Sequence, residues 1–185
     1  FDQPLSGKGK LDATAKHVSN VDATLALGQN TVNLRGAFGA PGERLLWRVD
    51  GRQLAAARSD LYGALTANGV LSGTMAAPRT TFEVDARGLG WVAAQRKDNT
   101  SNLHASGEAW LAGAEGARVV QLKTSGAAQR FNPAAFGSPL AGSINGNFDA
   151  IGRLGANWGG AVNLVLQPST LSNSPLSGHA KIAAD

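Results

Sequence analysis

Histidines are the first residues to consider for chemistry, because a neutral imidazole can bind a metal ion or move a proton near neutral pH. The chain contains three: His17, His104 and His179. None of them is spaced from another as metal-ligating histidines on one element are. A metal site would need three distant segments to converge, and the pattern instead favours polar surface histidines. We predict no metal site.

Carboxylate pairs come next, because two carboxyl groups at one site can divide the roles of acid and base. The pairs that a fold could bring together are Asp12 with Asp22 and Glu83 with Asp85. Each lies on the polar side of an alternating segment, where a solvated charge is the ordinary outcome. No Gly-x-Ser-x-Gly elbow, phosphate-binding loop or Ser-x-x-Lys pair occurs. The sequence therefore predicts neither an enzyme nor a bound cofactor.

Composition and charge exclude two further classes of function. The chain has no cysteine, so it has no disulfide and no thiolate chemistry. Lys and Arg number 17 against 13 Asp and Glu, but the basic residues are scattered and never form a block. Only one Tyr is present, and no aromatic platform for stacked bases is visible. We do not expect a nucleic-acid partner.

The elements that must position any site are predicted by alternation of apolar and polar residues. In His17–Gly28 and Thr31–Phe38, large apolar residues occupy every second position, which is typical of a strand with one apolar face. Gly28–Asn30 between them reads as a tight turn, so the pair is predicted to be a hairpin.

The same alternation recurs along the chain and predicts roughly a dozen strands at intervals of about 10 to 15 residues. Leu61–Met75 is predicted to form two short strands bent at Ala67–Gly69. Gly51–Ser59 and Arg130–Gly137 predict one or two very short helices. No helix is long enough to cross over a parallel sheet, so the strands are expected to form antiparallel meanders.

A sheet of such strands has one apolar side, and no amphipathic helix in the sequence is long enough to cover it. Two outcomes remain open. A closed barrel or sandwich would make the Leu, Val, Phe and Trp residues plain core. An open sheet would expose an apolar strip much larger than a monomer usually tolerates, and such a strip indicates a ligand-binding site.

A short phrase returns along the sequence. PLSGKGKLDATA at 4–15 recurs as PLSGHAKIAA at 175–184, with SPLAGSINGNFDA at 138–150 as a looser copy. This repetition predicts that residues 1–185 are a single segment of a longer repetitive protein. A β-solenoid adhesin would need strict short repeats or Asn and Thr ladders, which the sequence lacks.

Several stretches resemble the TamB proteins, the AsmA-like group of Gram-negative envelope proteins. They are LRGAFGAPGERLLWRVDGRQLAA at 34–56, LYGALTANGVLSGTMAAPRTTFEVDARGLGW at 61–91, RFNPAAFGSPLAGSINGNFDAIG at 130–152 and LQPSTLSNSPLSGHAKI at 166–182. The resemblance implies an all-β fold: an elongated, curved, antiparallel or mixed sheet with an open hydrophobic groove, called a β-taco. It also implies a periplasmic location, in a protein anchored in the inner membrane.

The resemblance implies two partners, phospholipid acyl chains in the groove and a BamA-like outer-membrane barrel of the TamA type that meets another part of the parent protein. The predicted function is a segment of a bridge that carries phospholipid between the two membranes. The large apolar residues of the inward parity are the expected lipid-binding set. They are Val21, Leu25, Leu27, Val32, Leu34, Phe38, Leu45, Trp47, Val49, Phe82, Val84, Trp91, Leu122, Ile144, Phe148, Val162, Leu164 and Leu166.

A second hypothesis keeps the same sheet but uses its edges. Exposed edge strands can pair with an extended peptide, so the segment could act as a chaperone or docking module for outer-membrane strands. Gly7–Ala15 and Leu176–Ala184 are the edges that this hypothesis uses.

Overall fold

The described residues form one 11-stranded sheet in which each strand pairs with its neighbours in sequence. A computed structural model describes residues 3–91, 93, 100–113, 117–155 and 158–184. All ten pairings are antiparallel. The strands are β1 (Leu5–Ala13), β2 (Val18–Leu27), β3 (Asn30–Phe38), β4 (Leu45–Gly51), β5 (Leu61–Gly73), β6 (Pro78–Trp91), β7 (Asn102–Ala112), β8 (Val119–Phe131), β9 (Gly142–Leu154), β10 (Gly159–Leu171) and β11 (Ser174–Ala184).

The predicted fold class is confirmed: the sheet is open and curved, with very little helix. Two short helical segments, α1 (Leu54–Ala57) and a 3₁₀ turn (Pro133–Phe136), each lie inside a range predicted to be helical. One prediction was wrong. Leu61–Gly73 is a single strand, because Ala67–Gly69, the predicted bend, pairs in register with β4 on one side and β6 on the other.

Cross-strand register sorts the side chains into rows that run across the whole sheet, perpendicular to the strands. In an antiparallel pair, directly opposed residues point to the same face. The first apolar row is Gly7, Leu25, Val32, Val49, Ala67, Val84, Ala105, Gly126, Phe148, Leu164 and Ala180. The second apolar row is Gly9, Ala23, Leu34, Trp47, Gly69, Phe82, Gly107, Thr124, Ala150, Val162 and Ile182.

Between these two rows lies a row on the opposite face, and every residue in it is polar. The polar row is Lys8, Thr24, Asn33, Arg48, Asn68, Glu83, Ser106, Ser125, Asp149, Asn163 and Lys181. Apart from Thr24, all of these are exposed, whereas in the first apolar row only Gly7 and Leu25, near one edge, are exposed. The apolar side chains shield one another, as they do on the inner side of a curved sheet.

The apolar face is shielded but not filled by other parts of the chain. Among the described residues, no large side chain is fully buried. The total accessible surface is 11588 Å², whereas a compact protein of this mass exposes about 8,300 Å². The sheet therefore does not close into a barrel or a sandwich.

The two ends of the strands differ. At one end, which we call the "helix end", β4 connects to β5 through α1 and β8 connects to β9 through the 3₁₀ turn. At the opposite end, which we call the "turn end", lie the connections β1–β2, β3–β4, β5–β6, β7–β8 and β9–β10.

In the described part of the chain, no helix is both long and apolar enough to cross a membrane.

Asn145 holds together the bulges of β8 and β10 at the helix end. Its Oδ1 accepts a hydrogen bond from the Arg130 backbone N–H at 2.9 Å, and its Nδ2 donates to the Pro168 carbonyl at 3.1 Å. Its own backbone N–H donates to the hydroxyl of buried Ser169 at 2.8 Å. A bulge leaves backbone groups without a strand partner, and this one side chain replaces two of those partners.

We expect Asn145→Ala to lower the free energy of unfolding by about 1–3 kcal/mol, since it leaves an amide and a carbonyl without a partner. Urea unfolding followed by far-ultraviolet circular dichroism measures the change. Asn147→Ala is the matched control, because Asn147 is exposed on the same strand. Equal, small effects from the two variants would show that Asn145 does not hold the bulges.

Candidate functional site

The apolar face collects most of the residues that the sequence predicts to bind lipid. Direct register places fifteen of them in rows on this face, opposite apolar residues or glycine with few exceptions. They are Val21, Leu25, Leu27, Val32, Leu34, Leu45, Trp47, Val49, Phe82, Val84, Leu122, Phe148, Val162, Leu164 and Leu166. Their arrangement on one face says nothing of what binds there, so lipid binding stays a prediction.

Four of the predicted residues, Val21 among them, lie near the strand ends. Val21 and Phe38 are buried, at 4% and 6% exposure, at the turn end of β2 and β3. Ile144 is opposite Phe131 at the helix end. Trp91 lies beyond the β5–β6 bulge, and its ring packs edge-on against Phe136 at 6.0 Å between centroids. Trp91 is directly opposite Leu61 and is part of the helix-end packing.

Aromatic side chains on the apolar face lie across glycines of the neighbouring strand. A Cβ added to Gly69 would be 2.5 Å from Cζ2 of Trp47, and one added to Gly126 would be 2.7 Å from Cζ of Phe148. The indole of Trp47 is fixed further by a hydrogen bond from Nε1 to Thr80 Oγ1 at 3.0 Å. Rings that lie down along the sheet make the apolar layer thin, and the space above it stays open.

Sequence reasoning missed several members of the rows. Leu65, Leu71, Leu103 and Leu111 share the apolar face, as does the edge residue Ile182. A signal was available, because Gly and Ala continue the same alternation wherever a large residue is absent. The predicted lipid-binding set left out glycine and alanine, although these small residues allow the aromatic rings to lie flat on the sheet.

The polar face has a hollow of mixed lining. This depression, about 470 Å³, lies across β6–β11 and is lined by polar residues such as Ser106, Ser125, Asp149 and Lys181 together with apolar ones such as Ile151. A twisted sheet is saddle-shaped, so each face is concave along one diagonal. Both lysine and carboxylate groups line this hollow, and no set of them is arranged around a reacting position.

The polar face also brings together the group that a metal ion would need, Glu83, Asp85 and His104, whose ligand atoms lie within 4.8 Å of one another. His104 is directly opposite Asp85, with Nδ1 and Oδ1 2.9 Å apart. All three side chains are about half exposed. The arrangement is that of an exposed ion-pair network. The other predicted pair is not formed, because Asp22 is opposite Lys10 and Asp12 accepts a hydrogen bond from Asn20.

At the turn end, the Glu43 carboxylate joins the first two connections. It is 2.6 Å from Nε2 of His17 and also accepts a hydrogen bond from the Ala40 backbone N–H at 3.0 Å. These two hydrogen bonds, the one with His17 foremost, lower the pKa of Glu43 below its ordinary value of 4.5. At the helix end, the bidentate contact of Arg58 lowers the pKa of Asp60 and raises that of Arg58.

The lowered pKa of Glu43 predicts a stability difference that depends on pH. A depressed pKa adds stability above pH 4.5, and that stability is lost as pH falls through the folded-state value. Glu43→Gln should therefore lower the melting temperature at pH 7, and the difference from wild type should shrink as the pH falls below 4.5. Asp149→Asn is the control, since the exposed Asp149 has no ion pair in the described structure. A constant difference across the pH range would contradict this account.

Comparison with known proteins gives one match. The family model described as "TamB, N-terminal domain" matches residues 1–130. No curated protein and no solved structure gives a significant match. The matched range ends inside β8, and β9–β11 continue the same rows, so residue 130 is not a structural boundary.

Proposed function

This chain belongs to the TamB family, and from that premise we propose that its apolar face binds phospholipid acyl chains as one segment of a bridge between the inner and outer membranes. The family takes part in a translocation and assembly module and is not a known enzyme family. We propose a periplasmic location for this segment, with a BamA-like outer-membrane barrel contacting another part of the parent protein.

The observation that supports the proposal is the uninterrupted apolar surface. The first two apolar rows cross all 11 strands without a charged residue. An acyl chain that enters water meets a cost of about 0.8 kcal/mol per CH₂, or about 12 kcal/mol for a chain of roughly sixteen carbons. A continuous apolar face removes most of that cost, while the head group stays in water.

The thin layer of aromatic rings suits a surface along which cargo moves. Trp47, Phe82 and Phe148 offer flat ring faces and no deep pocket. Such a surface gives smooth binding of low specificity, because no single position is much better than the next. A lipid bound in this way can leave at the end of the bridge.

Native mass spectrometry of the purified segment, followed by lipid extraction, tests the proposal. We expect phospholipid adducts that a short exposure to detergent removes. A segment that carries no lipid, and takes none from vesicles of phosphatidylcholine and phosphatidylglycerol, would overturn it.

The exposed sheet edges favour a second candidate function, the docking of outer-membrane strands. All nine residues of β1 are exposed, and β11 presents a free edge on the other side. An extended peptide could add a strand to either edge through backbone hydrogen bonds. The same mass spectra distinguish the two functions, since bound polypeptide in place of lipid would favour docking. Lys8 and Lys10 on β1 work against unselective pairing.

A further inference from the structure

The two ends of the strands differ in packing and in charge, and we infer from this difference how a lipid is oriented on the sheet: its acyl chains point towards the helix end, and an anionic head group is bound at the turn end by basic residues. The inference rests on the proposed function and adds to it a lipid class and an orientation.

The helix end covers the apolar face. Leu54 and Ala56 of α1 are buried, and a Cβ added to Gly51, at the end of β4, would be 2.9 Å from Cδ2 of Leu54. Ala134 and Ala135 of the 3₁₀ turn are buried as well. Here protein groups occupy the space beside the helix-end strands from β3 to β8.

Part of this cover is an aromatic cluster. The rings of Phe131 and Phe136 stack with their centroids 5.5 Å apart, and the Arg58 guanidinium lies 5.1 Å from the centroid of the Trp91 ring. Asn30 holds α1 in place: its Nδ2 donates to the Gln53 carbonyl at 2.7 Å, and its Oδ1 accepts from the Gln53 N–H at 2.9 Å. Ring packing and side-chain hydrogen bonds therefore both fix the structure of the helix end.

The turn end leaves apolar side chains in water from β5 to β10. Leu154 is 55% exposed, Trp158 66%, Val120 38% and Met75 37%. Val120 and Leu154 are directly opposite each other and continue the apolar face to this end. Only at β2 and β3 do Val21 and Phe38 close it. Acyl chains therefore have access to the face through the turn end.

Basic residues lie at or beside every connection of the turn end. Lys16, Arg44 and Arg118 are in the connections themselves. Arg79 and Arg153 are near the turn ends of β6 and β9, in a row on the polar face. Neighbouring connections at one end are two strands apart, about 10 Å. Arg79 is paired with Glu108 at 2.8 Å, but the other four have no ion-pair partner in the described residues. At the helix end, Arg52 and Arg58 are each paired with an aspartate.

Against these five basic residues the turn end carries four carboxylates, so basic residues are in excess by one. Glu43 contacts His17, Glu108 contacts Arg79, and Asp12 accepts a hydrogen bond from Asn20. Glu115 falls outside the described residues. A phosphodiester without an ammonium group of its own keeps a full negative charge, and Arg donates to its oxygens in fork geometry. We therefore assign anionic phospholipids, not zwitterionic ones, to this end.

The test compares transfer of a fluorescent phosphatidylglycerol with that of the matching phosphatidylcholine, from donor to acceptor vesicles. We expect the segment to favour phosphatidylglycerol by about threefold to tenfold at low salt, and the preference to fall at molar salt, where charges are screened within about 3 Å. The triple variant Arg44→Gln, Arg118→Gln and Arg153→Gln should lose this preference and keep phosphatidylcholine transfer. The triple variant Arg35→Gln, Arg48→Gln and Arg87→Gln removes the same charge from exposed positions outside the turn end and should keep the preference.

Each outcome of this test decides a separate question. Equal transfer of both lipids by wild type, or an equal loss of preference in both triple variants, would overturn the head-group assignment and leave the proposed function standing. Failure to transfer either lipid would overturn the proposed function itself. A nitroxide at acyl-chain carbon atoms checks orientation, because it should broaden NMR signals at Ala135 more than at Leu154.

Discussion

Replacing Leu164 by arginine is expected to lower phospholipid transfer between vesicles at least tenfold while the sheet remains folded. Leu164 lies in the first apolar row, opposite Phe148 and Ala180. The substitution removes apolar contact worth about 2 kcal/mol and places a charge where acyl chains would lie, at a further cost of about 3 kcal/mol. The guanidinium can still reach water from an open face, so the fold survives.

Asn163→Arg is the control for Leu164→Arg. Asn163 is the preceding residue of β10, exposed on the polar face, and it receives the same charge without touching the apolar rows. We expect its transfer rate to stay within twofold of wild type. If both variants transfer lipid equally well, the apolar rows do not bind lipid. Leu34→Arg in the second apolar row should repeat the result for Leu164.

The second large effect concerns stability: Gly69→Ala is expected to lower the free energy of unfolding by about 1–3 kcal/mol, as overpacking does. The added methyl group would meet the Trp47 ring at 2.5 Å and the backbone carbonyl of Thr81. The ring would have to lift from the sheet, which breaks its hydrogen bond to Thr80. Urea unfolding measures the loss, and tryptophan fluorescence should show the indole in a more polar setting.

Gly152→Ala provides the matched substitution. Gly152 is on the same face, opposite Leu122 and Gly160, but a Cβ there would have its nearest neighbour at 3.8 Å. Because this position has room, alanine should stabilise by roughly 0.4–1 kcal/mol through the unfolded chain. Should both glycines tolerate alanine equally, the aromatic rings do not depend on the glycines beneath them, and our account of the thin apolar layer is wrong.

These two results bear on the same property of the sheet. An apolar face binds a sliding chain only if its own side chains do not fill the space above it. Glycine at Gly69, Gly107 and Gly126 lets Trp47, Phe82 and Phe148 lie across the neighbouring strand. Substitutions at these three glycines should therefore lower both lipid transfer and stability, whereas substitutions in the polar row should change neither.

Alternation alone predicted much of the fold. The hairpin of β2 and β3, both helical segments and the antiparallel meander followed from side-chain period and turn residues. It also predicted which residues share a face, because successive residues of a strand point to opposite sides. The continuous strand Leu61–Gly73 was missed, because its glycine and alanine residues weaken the alternation of large apolar and polar side chains that predicts a strand.

Pattern reasoning could not find the contacts that depend on register between strands. The meeting of Asp85 with His104, the support of two bulges by Asn145 and the rings over glycines each join residues from different strands. Trp91 shows the same limit: simple alternation from Phe82 and Val84 would place it on the polar face, and only the extra β6 residue in the bulge brings it opposite Leu61. A bulge is a local change in pairing that the side-chain pattern does not record.

The sequence by itself determined that this protein is a sheet with one apolar face, because period-two alternation fits no other regular structure. Only the tertiary structure decided that the face stays open, that one end of the strands is covered and that the basic connections lie at the other end. Those features depend on strand register and curvature, which are set by many weak contacts between distant residues and are not encoded in any single stretch of the chain.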